Sequence, residues 1–192
     1  MKEEMNTNMK LSEHLASPSE AALSHLSELN GLRLSPHFKL GELTKTSYKT
    51  ADGYIPSRVA IENLRNICEN WLEDLRYSYN TLYKGESQGV VITSGYRSPE
   101  VNKRAGGSPT SNHLTGCAVD IRVADFEQAI RYASILLDIS DGTKQDFDEL
   151  YIERNKTSSH WIHFAVRPKD RSATKGDACL SKNRRKTGFI QT

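Results

Sequence analysis

The sequence predicts an α+β domain, a small and mostly antiparallel sheet with helices packed against it and a polar site on its open face. Three observations carry this. Apolar residues from Val59 to Leu75 recur mostly at intervals of two to four, the spacing of an amphipathic helix. Four short apolar runs, 89–93, 117–123, 149–153 and 161–166, read as strands. A chain of 192 residues with 36% hydrophobic side chains fills one core of ordinary size and not two. One domain is therefore expected over 32–168, preceded by a helical or partly disordered segment, 1–31, and followed by a basic, disordered tail, 169–192.

In chain order, residues 1–10 are polar, and Leu11, Leu15, Ala22, Leu26 and Leu29 then fall at near-helical spacing around Pro18, predicting one or two short helices that end at Asn30-Gly31. From Leu32 to Pro56 turn chemistry dominates, which predicts an irregular wrapping segment. The helix from Ser57 should run for about five turns. The β-branched run Gly89 to Thr93 reads as a buried strand feeding a turn at Ser94-Gly95. One helical turn, Glu100 to Arg104, follows Pro99, and Ala105 to Asn112 holds no regular structure and reads as a mobile or ligand-shaped loop. After the strand 117–123, Phe126, Ala129, Ile130, Ala133, Leu136 and Leu137 mark a helix capped by Asp125 and ending near Asp138. The last two strands are joined by the polar turn Asn155 to Ser159.

Composition excludes several classes. Twelve glycines, six prolines and a mean hydropathy of −0.62 rule out collagen-like and membrane-spanning chains, and no apolar run has the length of a span. The net charge of +2 belongs to the tail, where residues 169–192 hold seven Lys and Arg against two Asp, so the remainder is net acidic. The three cysteines, Cys68, Cys117 and Cys179, suit neither a disulfide framework nor a CxxC metal site and read as free thiols. Cys117 is expected to behave as a buried small hydrophobe. The N-terminus lacks the apolar stretch of a secretory signal, so synthesis in the cytoplasm is expected, with action elsewhere after release left open.

Three residues of borderline-metal ligand type lie on or beside strands: His113, Asp120 and His163. Two nitrogens and one carboxylate leave a fourth position open on zinc. Alternation along 117–123 puts Ala118, Asp120 and Arg122 on one face and Val119, Ile121 and Val123 on the other. In the last strand Trp161, His163 and Ala165 share a face opposite Ile162, Phe164 and Val166. A carboxylate and an imidazole thus converge, and His113 folds back over them from a loop bent at Gly116. Alone, a His and an Asp seven residues apart fit more simply a surface histidine and a salt-bridged aspartate.

The surrounding blocks change that reading: Ser94-Gly95-Tyr96-Arg97-Ser98-Pro99, then Ser111-Asn112-His113-Leu114-Thr115-Gly116-Cys117-Ala118-Val119-Asp120, then His160-Trp161-Ile162-His163. Together with Phe38-Lys39-Leu40-Gly41-Glu42-Leu43-Thr44, they resemble the zinc D-Ala-D-Ala peptidases of peptidase family M15. The nearest look is to the carboxypeptidase branch, with similarity also to phage peptidoglycan endopeptidases and, in fold, to hedgehog signalling domains and vancomycin-resistance dipeptidases. The resemblance spans about 32–167 and does not touch either end of the chain.

It implies that His113, Asp120 and His163 bind one Zn2+, in agreement with the strand faces, with water as the fourth ligand. Arg97 matches the family arginine that binds or polarises substrate, a task suited to a permanently charged, forked donor. Ser111 and Tyr96 are the further substrate-binding candidates, although Tyr96, like Trp161, fits a core wall as well. The general base implied by the resemblance is His160, because imidazole titrates near neutrality. Residues 160 and 163 face opposite ways in an ideal strand, so His160 reaches the metal only from the turn. Glu153 is the reserve candidate, and otherwise a solvated charge at a strand edge. His14, His25 and His37 read as surface or satisfied histidines.

Two functional classes follow. One is a zinc hydrolase that cuts a peptide bond in peptidoglycan stem peptides, as a carboxypeptidase or an endopeptidase, working as a monomer with no membrane partner. The other is a zinc-stabilised module that binds or builds without turnover. The tail reads as a solvated charge run, with attraction to an anionic wall polymer or nonspecific contact with nucleic-acid phosphates as sharper alternatives. No element of specific nucleic-acid recognition is present in the sequence.

Overall fold

The structure is a computed structural model that describes residues 27–48, 55–84, 87–166 and 186–191. The helices predicted before Leu26, and Cys179, His14 and His25, lie outside the described residues. Residues 27–31 are helical, as expected of the end of that segment.

The wrapping segment is held by its few apolar side chains. Leu34, Phe38, Leu40 and Leu43 are all buried, and among its described residues the one helix is the short α1, Leu40–Leu43. One carboxylate straps the segment to the molecule: Glu73 accepts from Ser35 Oγ at 2.6 Å and from the His37 backbone N–H at 2.8 Å, and meets His37 Nδ1 at 2.7 Å. Burial raises this carboxyl, but those bonds outweigh it and hold it below its usual range. His37 is thus the satisfied histidine expected.

Ser57 caps helix α2, Arg58–Ile67, by accepting from the Ala60 N–H. The helix continues through a π-helical stretch, Cys68–Leu72, into α3, Glu73–Tyr79, and a second π-turn, Asn80–Lys84. Ala60, Leu64, Ile67, Cys68, Trp71, Leu72, Leu75 and Tyr79 form its buried stripe. It outruns the five turns expected because Asn80 fastens its end: the side-chain amide donates to Arg76 O and Gln88 O and accepts from Gln88 N. A polar anchor of this kind leaves no trace in apolar spacing. Helix α4, Pro99–Arg104, starts at the cap Ser98, and helix α5, Phe126–Thr143, at Asp125, whose carboxylate accepts from Gln128 N. α5 passes the expected end at Asp138 because Ile139 and Ser140 extend its buried face.

Five strands form one sheet in the order β1-β2-β4-β3-β5: β1 Val91–Ser94, β2 Ala118–Arg122, β3 Phe147–Arg154, β4 His160–Val166 and β5 Lys186–Gln191. All neighbours are antiparallel except β3 and β5, which run parallel. The α+β class and the mostly antiparallel sheet are as predicted. Strand β5 is a correction, since the six residues Lys186–Gln191 were expected in a disordered tail. All six side chains are exposed and what orders them is backbone pairing with β3, which apolar pattern does not encode.

The helices cover one face of the sheet. Val119, Ile121, Leu150, Ile152, Ile162, Phe164 and Val166 point into that core, where Trp71 packs on Phe164 with ring centres 4.9 Å apart. Strand alternation then commits Asp120, His163 and Arg122 to the opposite face. In β3 a bulge sets Phe147 and Glu149 against Val166 and Ala165, and this flips the parity so that both Phe147 and Leu150 are buried while Glu149, Tyr151 and Glu153 line the open face.

Candidate metal centre and active site

Asp120 and His163 are direct partners across β2 and β4, and His163 Nδ1 lies 2.9 Å from Asp120 Oδ1. The 3₁₀ turn Asn112–Thr115 brings His113 Nε2 to 3.3 Å from the same oxygen. Both imidazoles therefore converge on Asp120 Oδ1. His113 and Asp120 are buried, and His163 is nearly so.

The other ring nitrogens are also committed. His113 Nδ1 lies 2.6 Å from the Gly95 carbonyl, which only accepts, so Nδ1 carries the proton and Nε2 presents a lone pair. His163 has a carboxylate oxygen beside each ring nitrogen, Glu149 Oε2 at 3.3 Å from Nε2 and Asp120 Oδ1 at 2.9 Å from Nδ1, so Glu149 holds the ring from behind while Nδ1 faces the Asp120 oxygen. Arg97 Nη2 donates to Asp120 Oδ2 at 2.5 Å and Arg97 Nε to Ser94 Oγ at 2.8 Å, which turns Oδ1 towards the histidines. Two imidazoles and a carboxylate, each oriented by a partner behind it, fit zinc in donor type and number, with each imidazole neutral when it binds a metal. The lone pair on His113 Nε2 follows from this chain's own hydrogen bonds.

The electrostatics agree. Burial raises the Asp120 carboxyl, but His113 and His163 outweigh it and hold it far below its usual range. Burial disfavours the charged form of His163, yet Asp120 and Glu149 push its pKa up to about 9. Glu149 is pulled down to about 2, first by its hydrogen bond to His163 and also by Lys186, against burial. Clustered carboxylates here require positive charge, which a proton on His163 or a divalent cation supplies.

Two glycines make the ligand loop possible. A Cβ on Gly95 would stand 2.2 Å from the Leu43 carbonyl oxygen. Gly116 has φ +71°, and its Cβ would stand 2.5 Å from the Ala60 carbonyl oxygen of α2. The left-handed backbone alone costs a side chain about 1–2 kcal/mol. Gly116→Ala is therefore expected to lower the melting temperature by at least about 4 °C, measured by thermal unfolding, with weaker metal retention because His113 sits in the displaced turn.

The expected site residues divide. Arg97, Ser111, His113, Asp120, His163 and Glu153 all line one cleft of about 500 Å³, with Thr93, Ala105, Gly106, Gly107 and Trp161. Ser111 also caps the 3₁₀ turn, accepting from His113 N at 3.3 Å. Tyr96 is not brought to the cleft: it packs against the core. Nor is His160. It is the first residue of β4, paired with Arg154, and its ring lies 5.2 Å from that of Phe126. The strand begins one residue earlier than the general-base reading required, and alternation then turns the imidazole away. Glu153 takes the place in the cleft, opposite Trp161 across the β3–β4 pair. Burial is the main influence and raises its carboxyl, with a hydrogen bond from Trp161 and the nearby His163 opposing. Cys117 is fully buried, as expected.

Glu149 and Tyr151 were missed. The Tyr151 ring stacks near His163 at 6.1 Å, and Glu149 also accepts from Asn112 Nδ2 at 3.1 Å. Period-two spacing of Glu149, Tyr151 and Glu153 was the available signal.

A buried His-Asp-His set with an open side, and a further carboxylate in the same cleft, defines the class: a metal-dependent hydrolase. The family model described as Peptidase M15 matches residues 36–164, about two thirds of the chain. The chain belongs to this family, one of zinc-dependent metallopeptidases. A comparison with curated proteins finds no match.

Proposed function

We propose that the protein hydrolyses a peptide bond in peptidoglycan stem peptides, as a D-Ala-D-Ala carboxypeptidase or a related endopeptidase. The observation that carries this reading is the convergence of His113 and His163 on Asp120 Oδ1 in a cleft that also contains Glu153. His113, Asp120 and His163 would hold the metal; zinc at that point supplies Lewis acidity, polarising the scissile carbonyl and making water more acidic. Glu153 accepts the proton of the attacking water and returns it to the leaving amine, a cycle favoured by a carboxyl that burial has raised. Arg97 keeps Asp120 aligned, and its guanidinium, on the cleft wall, offers further N–H groups to the oxyanion that develops. Gly106, Gly107 and Ser111 form the wall against which the peptide lies. Synthesis in the cytoplasm and action at the wall after release, as a monomer, complete the proposal.

The test is elemental analysis of the purified protein beside digestion of purified peptidoglycan. About one zinc per chain with released stem-peptide products is the expected result. Stoichiometric zinc without product would favour a silent wall-binding module, and no metal under zinc-replete conditions would overturn the proposal.

A further inference from the structure

The open face of the sheet extends beyond the metal centre. Asp120 and His163 form one cross-strand rung, and the next on the same face is Arg122 with Trp161, flanked by Glu153. A second cavity of about 600 Å³ begins there, lined by Arg122, Asp125, Phe126, Ser158, Ser159 and His160. It shares Thr93 and Trp161 with the metal cleft, so the two adjoin.

Arg122 is exposed in this cavity, and its side chain has no hydrogen-bond or ion-pair partner among the described residues. The acidic neighbour, Asp125, has its carboxylate turned to the start of α5, where it accepts from Gln128 N at 2.7 Å. Arg97, the other arginine of the face, is by contrast already paired with Asp120. A guanidinium held on a strand and left unpaired in a ligand-sized cavity suits a planar anion taken in two parallel hydrogen bonds.

Resting on the reading of the cleft as a stem-peptide site, we propose that Arg122 forms a subsite for a second substrate carboxylate remote from the scissile bond. Two residues along a strand span about 7 Å, which places that carboxylate roughly two residues from the bond cut at the metal. In a stem peptide cut at its terminal residue, two residues separate the scissile bond from the γ-linked D-glutamyl residue, and its α-carboxylate, one glutamyl chain further on, lies within the added reach of the long Arg122 side chain.

The experiment measures calorimetric binding of a synthetic stem pentapeptide with that α-carboxyl free, and of its carboxamide, to the zinc-loaded protein. Turnover is followed on the same samples. The native protein is expected to bind the free acid roughly tenfold more tightly, Arg122→Ala to bind both forms alike, and Arg122→Lys to regain part of the preference. Equal binding of both forms by the native protein, or a preference that survives Arg122→Ala, would overturn the subsite. Binding is read whether or not a bond is cut, so absence of turnover in the native protein counts against the proposed hydrolysis alone.

Discussion

Replacing Glu153 with glutamine is expected to reduce kcat by about 10²–10⁴-fold, the usual contribution of a positioned general base, while zinc content and melting temperature stay close to the native values. The amide keeps the shape of the side chain and its place opposite Trp161, but it cannot take a proton from water. The same side chain supports neither His113, Asp120 nor His163 through any direct hydrogen bond found among the described residues, so metal binding should survive. His160→Ala is the discriminating partner, because its ring lies against Phe126 and outside the metal cleft. It should lower kcat far less than Glu153→Gln. The reverse order, measured as initial rates of stem-peptide release at saturating substrate, would return the base to His160.

Asp120→Ala is expected to remove the metal altogether and to unsettle the protein as well. Asp120 Oδ1 is the atom on which both imidazoles converge, and Oδ2 carries the pair with Arg97. Deleting it leaves two ligands and strands a guanidinium that is only 18% exposed. Breaking a buried pair from one side costs about 3–5 kcal/mol, and partial exposure here puts the expected loss at the lower end. Elemental analysis should find little zinc, product release should cease, and the denaturant midpoint should fall even in metal-free samples. Asp120→Asn separates the two effects, since its amide oxygen still accepts from Arg97 while its charge is gone. Stability should then recover more than metal affinity does.

Much of this site was legible in advance because strand parity is a strict rule. Once 117–123 and 161–166 read as strands, Asp120 and His163 had to share the face opposite the aliphatic set, and the register places them as direct partners. The same rule applied to Phe147–Arg154 would have grouped Glu149, Tyr151 and Glu153, but the bulge at Phe147 and Glu149 breaks alternation where the strand begins. Without the register, Glu153 looks like a solvated edge charge. His160 illustrates the converse: the choice between turn and strand rests on one residue, and backbone pairing with Arg154 decides it. The length of the long helix and the ordering of Lys186–Gln191 were hidden for a related reason. Asn80 and the β3 edge act through polar and main-chain groups, to which hydrophobic periodicity is blind.

The β2–β4 pairing also bears on when the protein can acquire its metal. Asp120 and His163 are 43 positions apart and meet only when β4 is laid between β2 and β3. A chain still on the ribosome has no complete ligand set until His163 has emerged and that central pairing has formed. Metal uptake is therefore coupled to the finished sheet, and the ion favours the folded molecule over every partly assembled form. Metal bound at this centre would thus add its stability to a sheet whose central pairing already exists.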